Sequence, residues 1–184
     1  MGQYFKAVVL APQSDKAEIE ASFESWKYGS GSKQMEHSWC GNFYVSTIEK
    51  HFIPGGEFYK HRLVWAGDYA DAEAGSDSNL YELSEEKERN GECCKLDDTF
   101  RYVVNHSKRQ YVDKAQIPVD SDGWQIHPLP LLTAEGNEDA GGEYHSCYPD
   151  HHLLGVWARD VISVEETVPA EYTQLKPRFI ERRA

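Results

Sequence analysis

The segment FRYVVNHSKRQYVDK, residues 100–114, constrains the chain most. Two runs of strand formers, RYVV and QYVD, flank the polar turn NHSKR, and that order predicts a β-hairpin. Any fold must therefore contain an antiparallel pair, and further strand signals lie on both sides of it. QYFKAVVL at the start is short, β-branched and aromatic, and it stops before Pro12. HRLVWAG, residues 61–67, is apolar on both faces and reads as a central strand. GVWARDVISVE, residues 155–165, reads as the last regular strand.

Helical spacing occurs in DKAEIEASFESW, where Ile19, Phe23 and Trp26 fall at i, i+4 and i+7, and the segment is expected to be an amphipathic helix ending at YGSGS. A second helix is expected over FYVSTIEKHF, with Asn42 as N-cap, Val45, Ile48 and Phe52 on one face, and a stop at Pro54-Gly55-Gly56. NLYELSEEKERNG suggests one short helix ended by Gly91. WQIHPLPLLTA carries Pro128 and Pro130, which predicts an extended edge segment. The glycine-rich stretch at about 134–152 is expected to be a long loop, and about 176–184 a basic C-terminal tail. With no internal repeat and no Pro/Ser-rich linker, residues 1–184 read as a single α+β domain, with a mostly antiparallel sheet and two or three helices.

Charge narrows the partners. The formal net charge is −12; residues 68–98 contribute −8 and residues 135–150 contribute −5, so the remainder is close to neutral. Such segments repel a phosphate backbone, which argues against general nucleic-acid binding and leaves room for a cation or a basic protein surface. No run of about 18 apolar residues is present, so no membrane span is expected. MGQYFKAVVLAPQ lacks the pattern of a secretory leader, and Cys40, Cys93, Cys94 and Cys147 do not form a secreted disulfide framework. A cytoplasmic protein with free thiols is the resulting expectation.

Four stretches, MGQYFKAV, MEHSWCGN (35–42), VWAGDYAD (64–71) and IHPLPLLTAEGN (126–137), together resemble a family of bacteriophage and prophage proteins, also met in some bacteria. The resemblance covers most of the chain. It implies a phage-like context, with the host cytoplasm as the setting, and no particular fold, activity or cofactor.

Chemistry has to come from the residues. In MEHSWCGN, Asn42 and Gly41 suit a helix cap and Trp39 and Cys40 suit a core, while His37 and Trp39 also suit the lining of a ligand site. A helix starting at about residue 43 would favour the Cys40 thiolate and allow a Cys40/His37 nucleophile pair. VWAGDYAD delivers Asp68, Tyr69 and Asp71 at the end of the central strand, where two carboxylates suit a divalent cation such as Mg²⁺ or Ca²⁺, or an Asx turn. IHPLPLLTAEGN places His127 on a rigid segment and Glu135 and Asn137 at the mouth of the long loop. Cys93, Cys94, His145, Cys147, His151 and His152 form a thiol/imidazole set whose spacing is not that of structural zinc sites. Dinucleotide, P-loop, nucleophile-elbow and HExxH motifs are all absent.

These features lead to two expectations. In the first, an accessory protein binds a small polar or nucleotide-like ligand in an aromatic-polar pocket of His37, Trp39, Asp68, Tyr69, Asp71, His127, Glu135 and Asn137, with hydrolysis left open. In the second, a non-enzymatic acidic inhibitor, possessing Glu85, Glu86 and Glu88 among its charges, binds the basic surface of a host defence protein.

Overall fold

A computed structural model describes residues 2–137 and 143–180. Its strands and α-helices run β1 (Phe5–Leu10), β2 (Ile19–Phe23), α1 (Gln34–His37), α2 (Phe43–His51), β3 (His61–Gly67), α3 (Leu80–Leu83), β4 (Tyr102–Asn105), β5 (Gln110–Asp113), α4 (Pro128–Leu132), β6 (Ala134–Glu135), β7 (Asp160–Glu165) and β8 (Thr173–Gln174). All eight strands join one sheet in the order β2-β1-β3-β7-β4-β5-β8, with β6 beside the C-terminal half of β3. Only β3/β6 and β5/β8 are parallel, so the fold is α+β on a mostly antiparallel sheet. Among the described residues no helix is long and apolar enough to cross a membrane.

The hairpin forms as its sequence predicts, with Tyr102 opposite Asp113 and Asn105 opposite Gln110. β3 is central as expected, paired with β1 on one side and with β7 and β6 on the other. Three expectations are corrected. The segment DKAEIEASFESW is not a helix: Ile19–Phe23 is a strand antiparallel to β1, followed by a 3₁₀ turn at Ser25–Tyr28. Ala21 and Phe23 alternate into the core while Trp26 stays exposed, so a period of two prevails over the i, i+4, i+7 coincidence once β1 offers its edge.

IHPLPLLTA is also corrected, because Pro128–Leu132 is helical rather than extended. Both prolines lie in the first turn, where backbone N–H groups have no helical acceptor, so neither breaks a bond. His127 caps the turn, its Nδ1 accepting from the Leu129 N–H at 3.2 Å. The helix expected over 79–91 also divides, into α3 and a 3₁₀ turn at Glu85–Lys87. Of the long loop, residues 138–142 lie outside the described residues, as do residues 181–184 of the basic tail.

The sheet buries both faces unequally. Phe5, Ala7 and Val9 of β1 face a large core shared with Trp65, Tyr44, Ile48, Phe52 and the leucines of α4. Val8, Leu10, Val64 and Ala66 face a smaller cluster closed by Leu80. Helix α2 is tied to the large face by more than apolar contact. The Tyr44 hydroxyl accepts from the Ala7 N–H at 2.9 Å and donates to the Phe23 carbonyl at 2.6 Å, bridging β1 and β2 at the point where α2 crosses them.

Candidate functional site

Helix α2 starts where its sequence requires. The Asn42 side chain accepts from the N–H groups of Tyr44 (2.9 Å) and Val45 (3.2 Å), so the free donors of the first turn are satisfied locally. The helix expected to activate Cys40 therefore does not do so. Burial and the nearby Glu49 carboxylate push the Cys40 thiol up to about 12, against the opposing Lys114 charge, and it stays protonated at neutral pH. Asn42→Ala is expected to destabilise the protein by about 1 kcal/mol. Urea unfolding reads this, and an unchanged midpoint would mean that the cap contributes nothing.

Residues 38–40 pair with 125–127 through Cys40 N–H to Gln125 O (2.9 Å) and His127 N–H to Ser38 O (2.9 Å). This short crossing sets Cys40 and His127 side by side over the buried flank of α2. There they line a cavity of about 300 Å³ with Ser46, Glu49, Lys114 and Gln125, and Phe100 and Arg101 form an outer wall.

Glu49 is the floor of this cavity. It projects from the same face of α2 as Val45, Ile48 and Phe52 and is buried with them. One of its oxygens, Oε1, meets Lys114 Nζ at 2.6 Å and His127 Nε2 at 3.1 Å. Because His127 Nδ1 is an acceptor from Leu129, the ring proton sits on Nε2 and faces Glu49, in a contact that is electrostatic rather than a well-aligned hydrogen bond. Burial alone would raise the Glu49 carboxyl, but the Nε2–H of His127 and the Lys114 ammonium, both facing it, outweigh burial and hold the group down at about 2. Arg101, outside this cluster, makes a two-pronged contact with Asp113, which lowers that carboxyl. In all, Glu49, Asp97 and Asp98 balance Lys95, Arg101 and Lys114 in the cavity lining, so it carries no net formal charge.

A wider groove of about 640 Å³ opens on the other side of Cys40 and Gly41, lined by Met35, Trp39 and Trp124. Trp39 and Trp124 meet edge to face, with ring centroids 5.8 Å apart and planes at 68°.

The eight residues expected to share one pocket occupy four places. His37 is fully buried, its Nδ1 bonded to the Gly31 carbonyl (2.8 Å) and its Nε2 accepting from Trp65 Nε1 (2.9 Å). Burial depresses its pKa to about 4, so it is a neutral histidine of the core, where the sequence expectation put it in the lining of a ligand site. Trp39 lies in the groove and His127 in the cavity.

The remaining five gather near the end of β3. Asp68 Oδ1 accepts from the Tyr4 N–H at 3.0 Å, Asp71 and Tyr69 are exposed, and Asn137 accepts from Gln3. Glu135 shares Arg159 with Glu73, and this clamp joins the acidic loop to β6. Asp68 and Asp71 gain no third ligand: among the described residues no three His, Cys, Asp or Glu side chains converge as a metal site, the Cys93, Cys94, His145, Cys147, His151 and His152 set included. Part of the acidic charge is neutralised internally, since Glu88 pairs with Lys27 at 2.8 Å while Glu85 and Glu86 stay exposed.

Sequence reasoning passed over Glu49, Lys114 and Trp124. Glu49 did leave a signal, being a carboxylate set among Val45, Ile48 and Phe52 on the apolar face of a helix. Lys114 and Trp124 left none, because only the tertiary fold brings them to α2 and to Trp39. Comparison with known proteins finds no family, curated protein or solved structure that matches this chain.

Proposed function

We propose that this is a binding protein for a small, polar, neutral or zwitterionic ligand held in the cavity over Glu49. The observation that carries the reading is a buried carboxylate and imidazole brought together with a half-buried ammonium at the edge of a roughly 300 Å³ space. Buried ionised groups are costly unless their partners fix them, and a ligand's donors and acceptors find such groups already oriented. The balanced charge of the lining favours a nucleoside or an amino-acid-like molecule over a polyphosphate. Binding is favoured over turnover because both nitrogens of His127 are turned to the protein and the Cys40 thiol is protonated. The phage-like motifs supply a setting for such an accessory protein and no more.

Thermal unfolding tests this with adenosine, AMP, ATP, glutamine, glutamate and lysine as probes. A neutral or zwitterionic probe at 100 times its Kd is expected to add about 2.7 kcal/mol of stability. The shift should vanish in Lys114→Met. No shift with any probe, or a shift that Lys114→Met retains, overturns the assignment.

A further inference from the structure

We propose that the Trp39/Trp124 corner is a second binding site, selective for a methylated or quaternary ammonium group. The inference is independent of the ligand in the neighbouring cavity and begins from the cost of Trp124. This residue is 53% exposed, on a backbone that is fixed in a tight turn: Asp120 Oδ1 accepts from the N–H groups of Trp124 (2.8 Å) and Asp122 (2.9 Å), and the Trp124 carbonyl accepts from the Asp120 N–H at 2.8 Å. The Trp39 ring is itself fixed, its Nε1 donating to the Met35 carbonyl at 2.6 Å. Two indole rings at 68° give a ligand two non-parallel faces, the arrangement that attracts a cation to aromatic rings.

Charge points the same way. The charged residues lining the groove are Glu36 and Glu143, and Glu143 belongs to the stretch 135–150, which carries five acids and no Lys or Arg. Glu143 is paired with Lys33 Nζ at 3.1 Å, while Glu36 accepts from the Lys33 backbone N–H at 3.0 Å and keeps its charge for a ligand. Exposed Trp26, in contrast, carries the Lys27 ammonium 5.4 Å from its ring, whereas no described cation lies over Trp39 or Trp124. A compact, weakly hydrated alkylammonium would meet both an indole face and a carboxylate there, without the desolvation cost of a Lys head group.

Tryptophan fluorescence of the full chain, titrated with choline and with its uncharged isostere 3,3-dimethylbutan-1-ol, tests the proposal. A saturable response to choline and none to the isostere is expected. Trp124→Ala should weaken choline binding by about tenfold, and Glu36→Gln combined with Glu143→Gln should weaken it without altering the far-UV spectrum. An equal response to both compounds would make the corner merely apolar, and a response to methyl glucoside in place of choline would make it a sugar platform. Either result, or no saturable response to choline in the wild type, overturns the proposal while leaving the cavity assignment to its own probes.

Discussion

Trp65→Ala is expected to lower the free energy of unfolding by about 4 kcal/mol, a large share of the stability of a domain this size. Trp65 lies on the central strand with no exposed surface, meets the Tyr44 ring edge to face at 5.6 Å, and donates to His37 Nε2 at 2.9 Å. Alanine leaves a cavity where a large ring was and also strips His37 of its donor. Trp65→Phe keeps one buried six-membered ring and loses the N–H together with the rest of the indole, at an expected cost of about 1–3 kcal/mol. Urea unfolding of both variants measures this. A Phe variant as stable as the wild type would show that the buried imidazole does not need its indole partner.

That triangle of His37, Trp65 and Tyr44 also shows how far the sequence could be read. Two of its elements were legible, a doubly apolar strand for Trp65 and an Asn-capped amphipathic helix for Tyr44, while His37 was read as the lining of a ligand site. The meeting of the three was not legible, because a histidine before a helix reads the same whether its ring faces a ligand or an indole. The strands of the hairpin and β3 were legible for a related reason, since local period and tight turns decide them. Ile19–Phe23 was misread because the apolar spacing of Ile19, Phe23 and Trp26 also fits a helix, whereas the strand pairs with β1 through a register shift that sends Ile19 to the smaller cluster and Ala21 and Phe23 to the large core. The first turn of α4 was misread because prolines were weighed as breakers, without the histidine cap that makes positions 128 and 130 harmless.

The same limit applies to the proposed binding site. Trp39 and His127 were expected to share a pocket, and they line two adjoining depressions separated by Cys40 and Gly41. Asp68, just past β3, and Glu135 of β6 were expected in that pocket too, but they serve the backbone of Tyr4 and the guanidinium of Arg159. Acidic residues at a strand end are as readily explained by an arginine that arrives from distant sequence as by a cation. Charge alone does not distinguish the two.

Glu49→Gln provides the second large effect and ties stability to the site. The folded carboxyl is held near 2 against an ordinary 4.5, so Glu49 contributes stability that is fully present above about pH 4.5 and is lost as the pH falls toward 2. The amide keeps the shape of the side chain while removing the charge that faces Lys114 and His127. At pH 7 the variant is expected to be less stable by about 3 kcal/mol, at the low end for breaking a buried pair because Lys114 can turn partly to solvent. The gap should narrow steadily between pH 4.5 and pH 2 as protonation of the wild-type carboxyl removes the same charge. Urea midpoints of the two proteins across that range provide the measurement. A difference that stays constant from neutral pH down to about pH 2.5 would mean that Glu49 acts by packing rather than by charge, and the cavity floor would lose the fixed carboxylate on which ligand binding depends.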